Sequence, residues 1–214
     1  MKQYTENPNS PNNLGKTPLI MAAANGHLEI VKSLIPTTVN PNAPTNNGTT
    51  PILIATVNGH FEIVKSLIYT TAQPNAPNNE GKTPIMMAAT MGHLEIVKLL
   101  ISATVNPNAP NIEGQTPIMA AASLGHLEIV KLLIPTTDNP NAPNPNDGNT
   151  PILLATVKGH IEIVKALIHT TVQPNAPNDK GYTAIVIANS LGTFSHNKSL
   201  NDNNNWSQPQ NRKF

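Results

Sequence analysis

The chain contains no cysteine. That absence removes a disulfide scaffold, a thiolate zinc site, a Cys-x-x-Cys redox centre and a cysteine nucleophile. Aromatic residues are nearly as scarce, with one Trp, three Tyr and three Phe among 214 residues. Charged side chains make up 12%, about half the usual share, and leave a formal net charge of +1. A protein that binds nucleic acid by neutralising phosphates carries a basic stripe, so no nucleic-acid partner is expected. Nowhere does the sequence approach the roughly 18 consecutive apolar residues of a membrane helix, and no membrane association is expected. The N-terminal Met-Lys-Gln-Tyr-Thr-Glu-Asn-Pro lacks the apolar segment of a secretory signal. These features together predict a cytoplasmic or nuclear protein.

What the sequence has in excess is proline, at 21 residues, about double ordinary usage. Such an excess reads as linker or disorder unless it is ordered along the chain. The glycines show that it is. They stand at 15, 26, 48, 59, 81, 92, 114, 125, 148, 159, 181 and 192. The first of each pair recurs every 33 residues, with a single step of 34 before Gly148, and each pair is separated by 11. Pro18, Pro51, Pro84, Pro117 and Pro151 each follow a Thr, three residues after the first glycine. Five copies of Pro-Asn-Ala-Pro begin at Pro41, Pro74, Pro107, Pro140 and Pro174, and Pro8 and Pro11 belong to a worn copy. A fixed period of this length identifies a repeat architecture, in which proline punctuates the elements.

Within one unit, Thr83-Pro84 predicts a helix start, with a Thr N-cap and Pro at the first helical position, where its missing N–H is harmless. The apolar Ile85 to Ala89 should form a short helix ending at Gly92, a residue suited to the left-handed position after a helix. A second helix is predicted over His93 to Ile101, with its apolar residues spread widely enough to pack between neighbours. Glu95 and Lys98 share its solvent side. Thr104 to Asn111 should be a helix-free loop, because each proline disfavours helix in the residue before it. Neither short helix can bury its apolar face alone, so stability must come from stacking.

These residues resemble the ankyrin repeat, with Gly-x-Thr-Pro-Leu-x-x-Ala-Ala-x-x-Gly-His-x-Glu-Ile-Val-Lys-x-Leu-Ile repeated from Gly15, Gly48, Gly81, Gly114 and Gly148, and a partial sixth unit from Gly181. The resemblance implies an all-α solenoid of stacked helix-turn-helix units with projecting loops and a concave surface. It also implies a non-catalytic protein that binds other proteins, with no cofactor. The domain boundaries expected are a short arm over 1–13, the repeats over 14–192 and a polar, disordered tail over 193–214. Several departures from the family pattern stand out. The family's His after Thr-Pro-Leu is replaced by Ile20, Leu53, Met86, Met119 and Leu153. Its Gly after the second helix is replaced by Thr38, Thr71, Thr104, Thr137 and Thr171, which predicts a different helix exit, since β-branched residues avoid positive φ. One extra residue falls near Pro145, and no second helix follows Gly192.

The repeated His27, His60, His93, His126 and His160 invite a metal reading, but helices pack about 8–10 Å apart. One histidine per unit therefore forms a ladder and cannot converge on an ion, so a structural role at the helix start is expected and no metal site. The pairs Glu29–Lys32, Glu62–Lys65, Glu95–Lys98, Glu128–Lys131 and Glu162–Lys165 read as a solvated face. Asn42, Asn75, Asn108, Asn141 and Asn175 read as a turn-stabilising ladder. In the family, binding is carried by positions that do not repeat. The resemblance therefore nominates Asn25, Asn58, Met91, Leu124 and Lys158 at the ends of the inner helices, with Ile112 and Tyr182 on the loop tips. Met91, Leu124 and Ile112 are expected to make an apolar patch. The first unit is as apolar as an interior one, so either the chain is a fragment of a longer array or a partner or second copy covers its ends; the isolated chain is expected to self-associate through this face. Two other readings stay open, a targeting or regulatory fragment of a larger enzyme or signalling protein, and a structural array without a dedicated partner.

Overall fold

In a computed structural model, residues 10–70, 73–171 and 173–191 are described. The expectations for the first nine residues, for Thr71, for Gly192 and for the polar tail lie outside them. Eleven α-helices and no strand occur among the described residues. They run as five pairs and a single: α1 Pro18–Ala24 and α2 Leu28–Leu34, α3 Pro51–Val57 and α4 Phe61–Leu67, α5 Pro84–Met91 and α6 Leu94–Ser102, α7 Pro117–Leu124 and α8 Leu127–Leu133, α9 Pro151–Val157 and α10 Ile161–Ile168, then α11 Ala184–Ser190. Inner helices pack on inner helices and outer on outer, each pair against the next, with α11 closing on α9.

The start of each inner helix shows why so short an element holds. Proline at the first position has no N–H to satisfy in α1, α3, α5, α7 and α9. The third N–H is accepted by the Thr N-cap hydroxyl, as in Met119 N to Thr116 Oγ1 at 3.3 Å. The second is accepted by an asparagine about ten residues upstream: Ile85 N to Asn75 Oδ1 at 2.9 Å, Ile118 N to Asn108 at 3.1 Å, Ile152 N to Asn141 at 2.9 Å and Ile185 N to Asn175 at 3.0 Å. The asparagine ladder is thus a set of helix-start acceptors that pin each proline loop to the helix it precedes. Asn42 is the exception: its backbone N–H bonds Asn40 Oδ1, as Asn108 and Asn141 bond their own counterparts, but its Oδ1 makes no bond to Ile52 N.

The core is continuous from repeat to repeat. Ala23, Val31, Ala55, Val64, Ala88, Ala89, Val97, Ala121, Ala122, Val130 and Ala155 are fully buried. The small alanines let the inner helices approach closely, and the residues that replace the family's histidine, from Ile20 to Leu153, are buried as well. No non-glycine residue among those described has positive φ. Thr38 and Thr137 are extended, so the chain leaves the outer helices without a left-handed residue. In the first and fourth units Pro36 and Pro135 add a single 3-10 turn, Ile35–Thr37 and Ile134–Thr136, that the sequence pattern did not predict.

Candidate functional site

Five of the seven nominated residues come from one place in each repeat, the residue just before the second glycine. Behind that row the repeats are latched together. His60 Nε2 lies 3.2 Å from Ala24 O, His93 Nε2 3.3 Å from Val57 O, His126 Nε2 3.2 Å from Thr90 O and His160 Nε2 3.2 Å from Ser123 O. None of the five outer-helix histidines caps its own helix through its side chain. The four are bonds between repeats, which is the job behind their periodicity. The glycine of the preceding repeat makes room for each ring. At Gly92, with φ +75°, an added Cβ would sit 2.7 Å from the His126 ring. Among the described residues no cluster of three metal-ligating side chains exists.

The row itself is exposed and changes along the array, from Asn25 and Asn58 to Met91, Leu124 and Lys158. Met91 and Leu124 are 46% and 49% exposed, and Val157, one residue before the slot of its repeat, is 45% exposed. Around Gly159 a Cβ would meet nothing among the described residues. Lys158 is exposed beside it. Asn58 is less free than the sequence suggested, since its Nδ2 donates to Ala24 O at 2.8 Å, the same carbonyl that His60 approaches. Asn25 donates to Met21 O of its own helix at 2.8 Å.

Ile112 and Tyr182 stand on the loop tips, 71% and 50% exposed. Ile112 precedes the start of α7 and Leu124 ends it. The two ends of this eight-residue helix are seven rises apart, about 10 Å at roughly 1.5 Å per residue. The structure therefore brings Met91 and Leu124 into one row but sets Ile112 at the opposite end of the helix.

The tips are built by asparagines that the sequence reading missed. Asn78 Oδ1 accepts from Glu80 N and Lys82 N, Asn111 Oδ1 from Glu113 N and Gln115 N, and Asn178 Oδ1 from Lys180 N and Tyr182 N. Their signal was an Asn three residues before the first glycine of a unit, as expected for side chains that mimic a turn. Successive tips are joined as well, by Asn46 Nδ2 to Asn13 O at 3.0 Å and Asn79 Nδ2 to Asn46 O at 3.1 Å. Ile112 occupies the same slot and has no side-chain amide to give; its backbone N–H still bonds Glu80 O at 3.2 Å, and its apolar side chain is left exposed. The extra residue lengthens the fifth tip, where Gly148 N bonds Asn144 O rather than a carbonyl three residues back. Beside these tips Glu80 accepts a hydrogen bond from Lys82 and raises the lysine above its ordinary pKa.

Four of the five outer-helix ion pairs close, at 2.7–2.9 Å, and Glu62 with Lys65 does not. Two cavities of about 350 and 310 Å³ lie between successive proline loops, lined in part by Pro77, Val105 and Pro110 and by their equivalents Pro11, Val39 and Pro44. They are one site seen two repeats apart, a consequence of the repeat, and neither touches the row. No described helix is long and apolar enough to cross a membrane.

Comparison with known families agrees with the latched helix pairs. The model for "Ankyrin repeats (3 copies)" matches residues 1–78 and 71–144, and the model for "Ankyrin repeat" matches 147–179. The matches break at residues 145–146, where the extra residue lies. No curated protein matches the chain. With its period, its helix pairs and most of its length accounted for, the chain belongs to the ankyrin repeat family.

Proposed function

We propose that this chain is a non-catalytic scaffold that binds another protein along the row of inner-helix ends, with the loop tips at the other end of those helices as a second line of contact. Ankyrin repeats are generally protein-protein interaction modules. The observation that carries the reading is where the repeats stop repeating. Their interiors are nearly interchangeable and buried, while the exposed slot before the second glycine holds Asn25, Asn58, Met91, Leu124 and Lys158 in turn. Met91, Leu124 and Val157 form an apolar centre bordered by Asn58 and Lys158, the composition of a surface that excludes water at its middle and hydrogen-bonds at its rim. Ile112 and Tyr182 supply a second line of contact from the tips. No cofactor or nucleic acid enters this reading, and the chain works in the cytoplasm or nucleus.

Affinity capture with the wild-type chain, Met91→Asp and Leu124→Asp tests the site. Loss of the same bound proteins in both variants is expected, with helicity unchanged because both side chains are already half exposed. Full retention of those proteins by both would place the binding surface elsewhere.

A second reading has its own observation. Ile30 is 51% exposed, whereas the equivalent Ile63, Ile96, Ile129 and Ile163 are each 2% exposed beneath a preceding repeat. We infer from this that the first repeat is a self-association face.

A further inference from the structure

The self-association reading leaves the arrangement of the two copies open. Resting on that reading, we propose that they meet first repeat to first repeat, in a closed twofold dimer. The face in question is equivalent to one side of four interfaces already present in the molecule. In repeats two to five it is covered by the repeat before it, with Leu67, Leu100, Leu133 and Leu167 buried as deeply as the isoleucines. In the first repeat Leu34 is only half-buried, Met21 and Ile30 are exposed, and His27 has no carbonyl to bond among the described residues.

The obvious occupant would be the last repeat of another copy, stacked head to tail. The C-terminal end does not reciprocate. Ala23, Thr56, Ala89, Ala122 and Thr156 occupy one slot and are 0–3% exposed. Ala23 is sealed although the N-terminal side of its repeat is open, so the slot faces inward or toward the following repeat. In α11 that slot holds Asn189, which is exposed. Covering it with another apolar helix pair would bury a whole amide, two donors and an acceptor, without hydrogen-bonding partners, where the other repeats place only alanine or a single threonine hydroxyl. Head-to-tail contacts would also leave ends open and build filaments, whereas a twofold contact closes on itself.

The N-terminal face suits its own copy. Met21, Ile30 and Leu34 carry no charge, and the charges of α2 are confined to the Glu29–Lys32 pair at 2.9 Å. With a net charge of +1 per chain, two copies approach without appreciable repulsion.

Sedimentation of the full chain over a range of concentrations tests this. A monomer–dimer equilibrium is expected, and Ile30→Asp should raise the dissociation constant at least tenfold without lowering the melting temperature of the fold. Because the wild-type chain has no cysteine, Ile30→Cys treated with a short bis-maleimide should give a single linked dimer, since a twofold axis pairs the residue with itself. Assembly beyond the dimer, a dimer indifferent to Ile30→Asp, or a dimer that is not linked through position 30 would overturn the face-to-face arrangement and leave self-association standing. A monomer at every concentration would overturn both.

Discussion

Asn108 offers the sharpest test of how the repeats are held. Helix α7 begins with Pro117, which has no N–H, and its next three donors are all placed: Ile118 N on Asn108 Oδ1 at 3.1 Å, Met119 N on Thr116 Oγ1 at 3.3 Å and Ala120 N on Thr116 O at 3.0 Å. Ile118 is 1% exposed, so water cannot readily replace the asparagine. Asn108→Ala leaves one buried N–H unsatisfied, which costs about 1–3 kcal/mol. In a domain of this size each kcal/mol lowers the melting temperature by about 2–4 °C, for a total of about 2–12 °C. Asn108→Asp keeps the acceptor and puts a negative charge at a helix N-terminus, so it should recover most of the loss. Asn42→Ala is the internal control, because Asn42 makes no corresponding bond to Ile52. Urea unfolding at 25 °C reads the total, and amide exchange at Ile118 reads the site. A loss below about 0.5 kcal/mol with unchanged exchange at Ile118 would refute the acceptor argument, because an orphaned buried donor cannot be that cheap.

Three further outcomes follow from the same geometry. His126→Ala should destabilise the array by about 1 kcal/mol or more through the lost bond to Thr90 O, whereas His27→Ala, without that bond, should leave the urea midpoint within error. Gly92→Ala should cost more than the roughly 1 kcal/mol of an alanine forced to positive φ, since its Cβ also meets the His126 ring. Gly159→Ala shares the positive φ but faces open space, so thermal melting should rank it as the milder change. Thr56 Oγ1 is buried with no partner, while Thr156 Oγ1 donates to Ile152 O at 2.8 Å. Thr56→Val should therefore raise the melting temperature and Thr156→Val should not, and the reverse order would show that the Thr56 hydroxyl is satisfied in solution.

Features that depend on a few neighbouring residues were legible without coordinates. Thr83, Pro84 and Gly92 bound the inner helix because capping, a fixed φ and a left-handed terminus act within one turn of backbone. The predicted second helix, His93 to Ile101, differs from the observed α6 by one residue at each end. The exposure of the slots before the second glycines was also legible, since family likeness plus an account of which positions vary locates them. Ile112 was misplaced relative to Leu124 because adjacency in a repeat register says nothing of which end of a helix a loop meets. Asn58 looked free because its acceptor, Ala24 O, lies 34 residues away in the chain.

The sequence by itself determined the period, the helix pairs, the loops and the family, since each is written in local spacing and repeated five times. Only the tertiary structure decided what the repeated residues do for one another. The histidines bond across about 36 residues, the asparagines reach about ten residues forward, and the tips join at intervals of 33. It also separated residues that the sequence makes equal. Ile30 and Ile63 sit in the same words, Glu-Ile-Val-Lys, yet one is exposed and the other sealed. Burial in a solenoid is conferred by the neighbouring repeat, and a residue's own unit does not encode it.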